Sequence, residues 1–239
     1  MFDFKGKTAV ITGAGSGIGK ATAEYFRDCG ANVVAADIRF PPGVAVPDGM
    51  LQADYDASDP QSASALVAAA VARFGPIDYL VLCAGIWETH LAQEMTDEQW
   101  RKTISVNLDG PFFLIRRAVG HMNDGGAIVA FASIAAHQGG SLAHSHYGAS
   151  KGGVLALVRG LARDLGPKLR VNAISPGTTK TPMAADLISN GGESLINSIP
   201  LKRLGEPIEM AKVSAFLCSD AASYITGEAI IVSGGLYMG

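Results

Sequence analysis

Tyr147 and Lys151 open and close the run Tyr147-Gly-Ala-Ser-Lys151, a spacing that sets a phenol and an ammonium on one face of a helix. A free tyrosine, with a pKa of about 10, is a poor proton-transfer group at neutral pH. A cation held beside it favours the phenolate and draws that pKa toward the working range. The pentapeptide alone recurs by chance in many helices. Its meaning depends on what the rest of the chain supplies.

A second candidate is the turn Thr12-Gly13-Ala-Gly15-Ser16-Gly17-Ile18-Gly19, which joins a strand-like run to a helix-like one. Backbone N–H groups at such a turn can approach a pyrophosphate, and the helix N-terminus favours negative charge. The spacing fits T-G-x-x-x-G-x-G through Gly13, Gly17 and Gly19. It does not fit G-x-G-x-x-G, because residue 18 is Ile and residue 20 is Lys. Gly13, Gly15, Ser16, Gly17, Ile18 and Gly19 are therefore expected to cradle a dinucleotide. Asp37 ends the next strand, where a carboxylate can accept hydrogen bonds from an adenosine ribose and repel a 2′-phosphate. That favours NAD over NADP, although the nearby Arg39 could pair with a phosphate. Asp54, just past another strand end, is read as a cap for the adenine amine or as turn chemistry.

These groups need a scaffold. Strand-like and helix-like segments alternate along the chain, which predicts the α/β class: a Rossmann-type doubly wound parallel sheet in a single domain over residues 1–239. Strands are expected at Thr8–Thr12, Asn32–Asp37, Met50–Ala53, Ile77–Cys83, Ala127–Ala132, Arg170–Ser175 and Ala229–Val232. Helices are expected at Ile18–Cys29, Ser62–Phe74, Asp97–His121, Tyr147–Leu165 and Glu206–Ser219. Prolines and glycines in residues 39–49 rule out a crossover helix between the second and third strands. Residues 178–200 follow a strand end, where open α/β sheets bind ligands, and read as a mobile lid.

The 239 residues are 48% hydrophobic and 17% charged, enough apolar content for a core and too much for a disordered chain. A net charge of −3 with scattered Lys and Arg gives no basic stripe for nucleic acid or lipid. Cys29, Cys83 and Cys218 are odd in number and far apart, as reduced thiols of a cytoplasmic protein would be. No signal peptide or membrane span is expected.

The glycine turn, Ser133 after the fifth strand, Tyr147-x-x-x-Lys151, Asn107 in Val-Asn-Leu, the segment Arg170–Gly177 and Ser233-Gly-Gly together resemble the short-chain dehydrogenase/reductase family across essentially the whole chain. The resemblance implies that Tyr147 is the general acid–base, Lys151 lowers its pKa and binds the nicotinamide ribose, and Ser133 holds the substrate oxygen. It implies that Asn107 kinks its helix and holds a water relaying protons to Lys151. Ala84, Gly85, Pro176, Gly177, Thr179 and Thr181 then face the cofactor, with Thr181 on the carboxamide or capping a helix ahead of Pro182. A homotetramer is also implied, packed through the long helices, with Ala149, Gly152, Gly153 and Ala156 allowing close approach or serving the monomer core. Two departures stand out: Cys83-Ala-Gly where the family has Asn-Ala-Gly, and the absent helix after the second strand.

Ile86, Trp87, Ala135, His137, Gln138, His144 and Met183 flank the catalytic elements and are the candidate substrate pocket. His144-Ser-His146 is not expected to bind metal, for want of a third ligand. The expected function is NAD-dependent hydride transfer with a small or medium secondary alcohol or ketone, cyclic ones included. The alternatives are a 3-oxoacyl-(acyl-carrier-protein) reductase, a dihydrodiol dehydrogenase, and a non-catalytic NAD-sensing regulator.

Overall fold

Strands β1 (Thr8–Thr12), β2 (Asn32–Asp37), β4 (Ile77–Leu82) and β6 (Arg170–Pro176) are almost continuously buried. Such runs suit strands covered on both faces. With β3 (Met50–Asp54), β5 (Met122–Phe131) and β7 (Ala229–Val232) they form one parallel sheet of order β3-β2-β1-β4-β5-β6-β7. The computed structural model describes residues 2–239 except 42, 44 and 45.

Alternate residues of each strand feed two cores. Val10, Leu80, Ile128 and Val171 pack beneath α2 (Pro60–Phe74), α4 (Gly110–Ala118) and α6 (Ser145–Leu165). Their neighbours Ile11, Val81, Val129 and Ile174 pack beneath α1 (Gly17–Asp28) and α8 (Pro207–Cys218). Phe26 of α1 is fully buried between Phe4 and Tyr79, with ring centroids 5.0 and 6.2 Å away. The chain reverses its winding between β1 and β4, so their C-terminal ends splay apart into a crevice.

The expected helix over 97–121 is broken. It consists of α3 (Asp97–Ile104), a π-helical turn Ser105–Asp109, α4, and a 3-10 turn Val119–His121. Pro111 explains part of the break: it has no N–H to donate to the carbonyl of Asn107, four residues back. A Cβ on Gly110 would lie 2.5 Å from the Ala57 carbonyl, so the helix passes the loop after β3 closely here. The fifth strand also begins at Met122, earlier than expected. Among the described residues no helix lies between β2 and β3, as anticipated. The segment read as a lid is largely helical: a 3-10 turn Pro182–Ala184 leads into α7 (Ala185–Ser198), kinked at Gly192. A short helix, α5 (Ala135–Gln138), follows β5.

Candidate active site

A cleft of about 1100 Å³ opens over the switch point, running from the glycine turn to the start of α6. The turn closes on itself because its glycines lack side chains. A Cβ on Gly19 would sit 2.1 Å from the Gly13 carbonyl, and one on Gly13 would sit 2.8 Å from the Ala84 nitrogen. Gly13 also has φ +68°, which side chains disfavour. The Thr12 hydroxyl accepts the Ala84 N–H at 3.2 Å and so ties β1 to the end of β4. Ser16, the N-cap of α1, makes no side-chain cap bond. The helix N-terminus therefore faces the cleft with unclaimed donors, an arrangement that takes an anion.

Asp37 completes the turn: its carboxylate accepts the Gly15 N–H at 2.8 Å and the Arg39 N–H at 3.1 Å. Gly15 packs directly against that carboxylate and is not itself a lining residue. The donors, the side-chain-free cradle and the carboxylate at the end of β2 fit a dinucleotide. Asp54 is not brought in: it ends β3 exposed, and the cleft wall is instead Tyr55, Asp56, Ala57 and Ser58. The strand runs one residue longer than expected, so the turn carries Asp56 inward.

At the other end the catalytic candidates converge. Ser133 follows β5, accepts the Ala135 N–H at 3.1 Å and lines the cleft together with Tyr147. Lys151, one helical turn beyond Tyr147, is buried, donates to the Phe131 carbonyl at 2.7 Å and lies 5.8 Å from the Tyr147 ring centroid. Burial pulls its ammonium down to about 8, with Cys83 opposing slightly. Burial raises the pKa of the Tyr147 phenol, and the Ser133 hydroxyl works against that rise. Desolvation disfavours the phenolate, and the ammonium is shared with the Phe131 carbonyl.

Asn107 lies fully buried in the π-turn. Its Oδ1 accepts the Ile86 N–H at 2.8 Å, and its Nδ2 donates to the Ile86 carbonyl at 3.0 Å and to Ser150 Oγ at 3.2 Å. It thereby clips the β4 loop to the catalytic helix. A Cβ on Gly85 would lie 3.2 Å from Asn107 Oδ1 and 3.6 Å from Lys151 Nζ, so glycine leaves those two side chains room to face the same space. Cys83 lines the cleft where the family carries Asn. Burial pushes its thiol up to about 12, and the Thr22 hydroxyl opposes this, so it remains an uncharged wall.

Ala84, Gly85, Pro176, Gly177, Thr179 and Thr181 all line the cleft. Thr181 lies over the glycine turn, its methyl 3.1 Å from where a Gly17 Cβ would be, and its hydroxyl caps nothing. Ile86, Trp87, Ala135, Gln138 and Met183 line the substrate end. His137 does not: its Nε2 pairs with Ser175 Oγ at 3.0 Å and its ring stacks on Tyr237. His144 is buried behind Trp87 rather than in the cleft. His146 belongs to α6 and is not in an extended run with His144, and no metal-ligating cluster occurs among the described residues. Sequence reading missed Glu98, Arg101, Lys102 and Ser105, which line the cleft from α3 and its end. Their spacing of three, one and three marks one helical face, which was the available signal.

Residues 13–237 match a family model described as enoyl-(acyl carrier protein) reductase. The chain is 38% identical to the L-rhamnose 1-dehydrogenase (NAD(P)(+)) of Azotobacter vinelandii, over 97% of each chain. It is 37% identical to the 3-oxoacyl-(acyl-carrier-protein) reductase of Thermotoga maritima, over 97% of this chain and 98% of that one. Among solved structures it superposes on a glucose/ribitol dehydrogenase from Brucella melitensis with TM-score 0.95 and 45% identity, covering 100% of this chain and 99% of the other. The aldohexose dehydrogenase of Thermoplasma acidophilum gives TM-score 0.90 at 34% identity, over 98% and 94%. The chain belongs to the short-chain dehydrogenase/reductase family. Among the described residues no helix is long and apolar enough to cross a membrane.

Proposed function

We propose that the chain is an NAD-dependent oxidoreductase that moves a hydride between nicotinamide and a small or medium secondary alcohol or ketone. The observation that carries this reading is the convergence of Ser133, Tyr147, Lys151 and the Asn107 clip at one end of a cleft whose other end fits a dinucleotide. When bound, the cofactor supplies the hydride acceptor or donor at the nicotinamide. The protein's part is positioning and proton handling. Ser133 holds the substrate oxygen. Tyr147, as the phenol, gives a proton to a ketone oxygen and, as the phenolate, takes one from an alcohol. Lys151 holds ribose hydroxyls and places positive charge near the phenol. Asn107 fixes the loop opposite them. Thr181, over the glycine turn, bonds the carboxamide.

An absorbance screen at the NADH band with NAD and NADP in parallel tests the reading. Because several relatives are named for sugars, the panel includes aldoses and polyols beside simple alcohols and ketones. The 3-oxoacyl-(acyl-carrier-protein) reductase reading is kept because a relative at 37% identity bears that name. Turnover confined to acyl thioester substrates would favour it, and no turnover of any kind would favour an NAD-sensing regulator.

Cofactor choice rests on Asp37. Asp37→Ser removes a charged acceptor and loosens Gly15. It is expected to lower kcat/KM for NAD by roughly tenfold to a hundredfold while the NADP value holds or rises. A wild-type enzyme that prefers NADP would overturn the assignment.

We also propose a homotetramer. Gly153 is committed to the monomer, since a Cβ there would meet Leu108 at 2.7 Å. Ala149 and Ala156 are exposed, as are Trp100 and Phe112 on α3 and α4, which leaves this face free to pair. A stable monomer in sedimentation would count against it.

A further inference from the structure

We propose that His144 is a positioning residue that sets the substrate preference of the cleft by clamping Trp87. The inference rests on the reading of that cleft as the alcohol site. Trp87 lines the substrate end, and one face of its indole is covered by the His144 imidazole, with ring centroids 4.3 Å apart and planes within 6°. What His144 leaves uncovered is the wall a substrate meets.

The imidazole is fixed in orientation and in tautomer. Nδ1 lies 2.6 Å from the Leu142 carbonyl, which can only accept, so Nδ1 carries the proton; Ser141 Oγ stands 3.0 Å from the same nitrogen. Nε2 is then an acceptor and takes the Thr89 hydroxyl at 3.2 Å. Burial holds the ring below the ordinary histidine range, so it stays neutral and this pattern persists. Thr89 is two residues past Trp87 on the same loop, so the histidine grips that loop by its stack and by its hydrogen bond. A backbone bond, His90 N–H to the Ala143 carbonyl at 2.9 Å, closes the clasp. Ala143 has φ +63°, an uncommon conformation for a side-chain-bearing residue that the surrounding bonds must maintain.

The other end of His144 belongs to the catalytic helix. It is the N-cap of α6, and its carbonyl accepts the Gly148 N–H at 2.9 Å. Tyr147 stands three residues further on. One residue thus begins the helix that carries the acid–base and pins the wall opposite it. The distance between the proton-transfer group and that wall is set locally, and this distance decides which alcohols fit.

The test pairs kinetics with fluorescence. Trp87 and Trp100 are the chain's two tryptophans, so a Trp100→Phe background isolates the Trp87 emission. In that background His144→Ala is expected to shift the emission to the red and increase acrylamide quenching. Its KM for the alcohols the parent enzyme prefers should rise about three- to tenfold, kcat should fall less than KM rises, and the ranking of the alcohol panel should change. His144→Phe keeps a flat ring against the indole and should restore most of the parent ranking and emission. A panel ranking preserved in His144→Ala, or a loss confined to kcat with KM unmoved, would overturn the proposal. A parent enzyme that turns over no alcohol sinks the underlying functional reading instead, and the emission then reports the clasp alone.

Discussion

Tyr147→Phe is expected to lower kcat by roughly 10²- to 10⁴-fold while leaving NAD affinity close to that of the parent. The substitution removes one oxygen and keeps the ring, so the packing of α6 is undisturbed. What disappears is the phenol oxygen, which lines the cleft beside Ser133. Serine cannot take over, because a hydroxyl with an ordinary alcohol pKa is too weak an acid for the exchange. The glycine turn and Asp37 lie at the other end of the cleft, so cofactor binding should survive. Steady-state turnover with the best alcohol from the screen, and titration of NADH fluorescence, measure the two quantities. A variant that keeps a tenth of the parent rate would remove Tyr147 from the mechanism.

Lys151→Met should act in two opposite directions, abolishing turnover while making the cofactor-free chain more stable. The ammonium is buried and its pKa is pulled from 10.5 to about 8, chiefly by desolvation. A base whose pKa falls on folding opposes folding. At pH 7 it is protonated in both states, so the cost is fully present, on the order of 3 kcal/mol at about 1.4 kcal/mol per unit. The cost is relieved as pH rises from about 8 toward 10.5, where the unfolded chain still binds the proton and the folded one does not. Methionine removes it but leaves the Phe131 carbonyl without its donor, which takes back about 1 kcal/mol. The net gain of about 2 kcal/mol corresponds to a melting temperature some 4–8 °C higher at pH 7. The gap between variant and parent should narrow as pH climbs through that window. Thermal melts without cofactor across pH 7–10 check both the size and the sign. A variant melting at or below the parent at pH 7 would show that burial of this lysine is not a cost. Turnover should fall at least about a hundredfold, since neither the charge near the phenol nor the ribose contact remains.

Much of this was legible in the sequence because the informative residues sit at element ends. Glycines at a strand–helix turn, an acid closing β2 and a phenol–ammonium pair at helical spacing each carry their own physical reason. All seven strands were expected, and apart from the early start of β5 at Met122 their bounds lie within a residue of those expected, since short apolar runs between turn signals mark strands. What was not legible depends on direction rather than on type. His137 and His144 were assigned to the substrate pocket from their places in the chain, yet one ring turns to Ser175 and Tyr237 and the other slips behind Trp87. Asp54 reads like a cofactor contact until the extra residue of β3 leaves it outside and brings Asp56 in. The helical segment α7 was obscured by Asn190-Gly-Gly192, where Gly192 leaves helical geometry at φ +49° and divides the segment by a kink. The spacing of Tyr147 and Lys151 told that the two share a helical face, but not that the ammonium would also donate to the Phe131 carbonyl.

The π-turn at Ser105–Asp109 stores information in the count of residues, not in their identity. A wide turn holds one residue more than a regular helix would over the same rise, and that surplus residue is what swings the Asn107 amide toward Ile86 and Ser150. Removing one residue of this stretch other than Asn107 would shift the helical register between α3 and α4 and rotate Asn107 out of its clip, even though Asn107 itself is retained. The segment should therefore accept many conservative substitutions and no deletions, a reading-frame constraint imposed by geometry on a stretch of polypeptide.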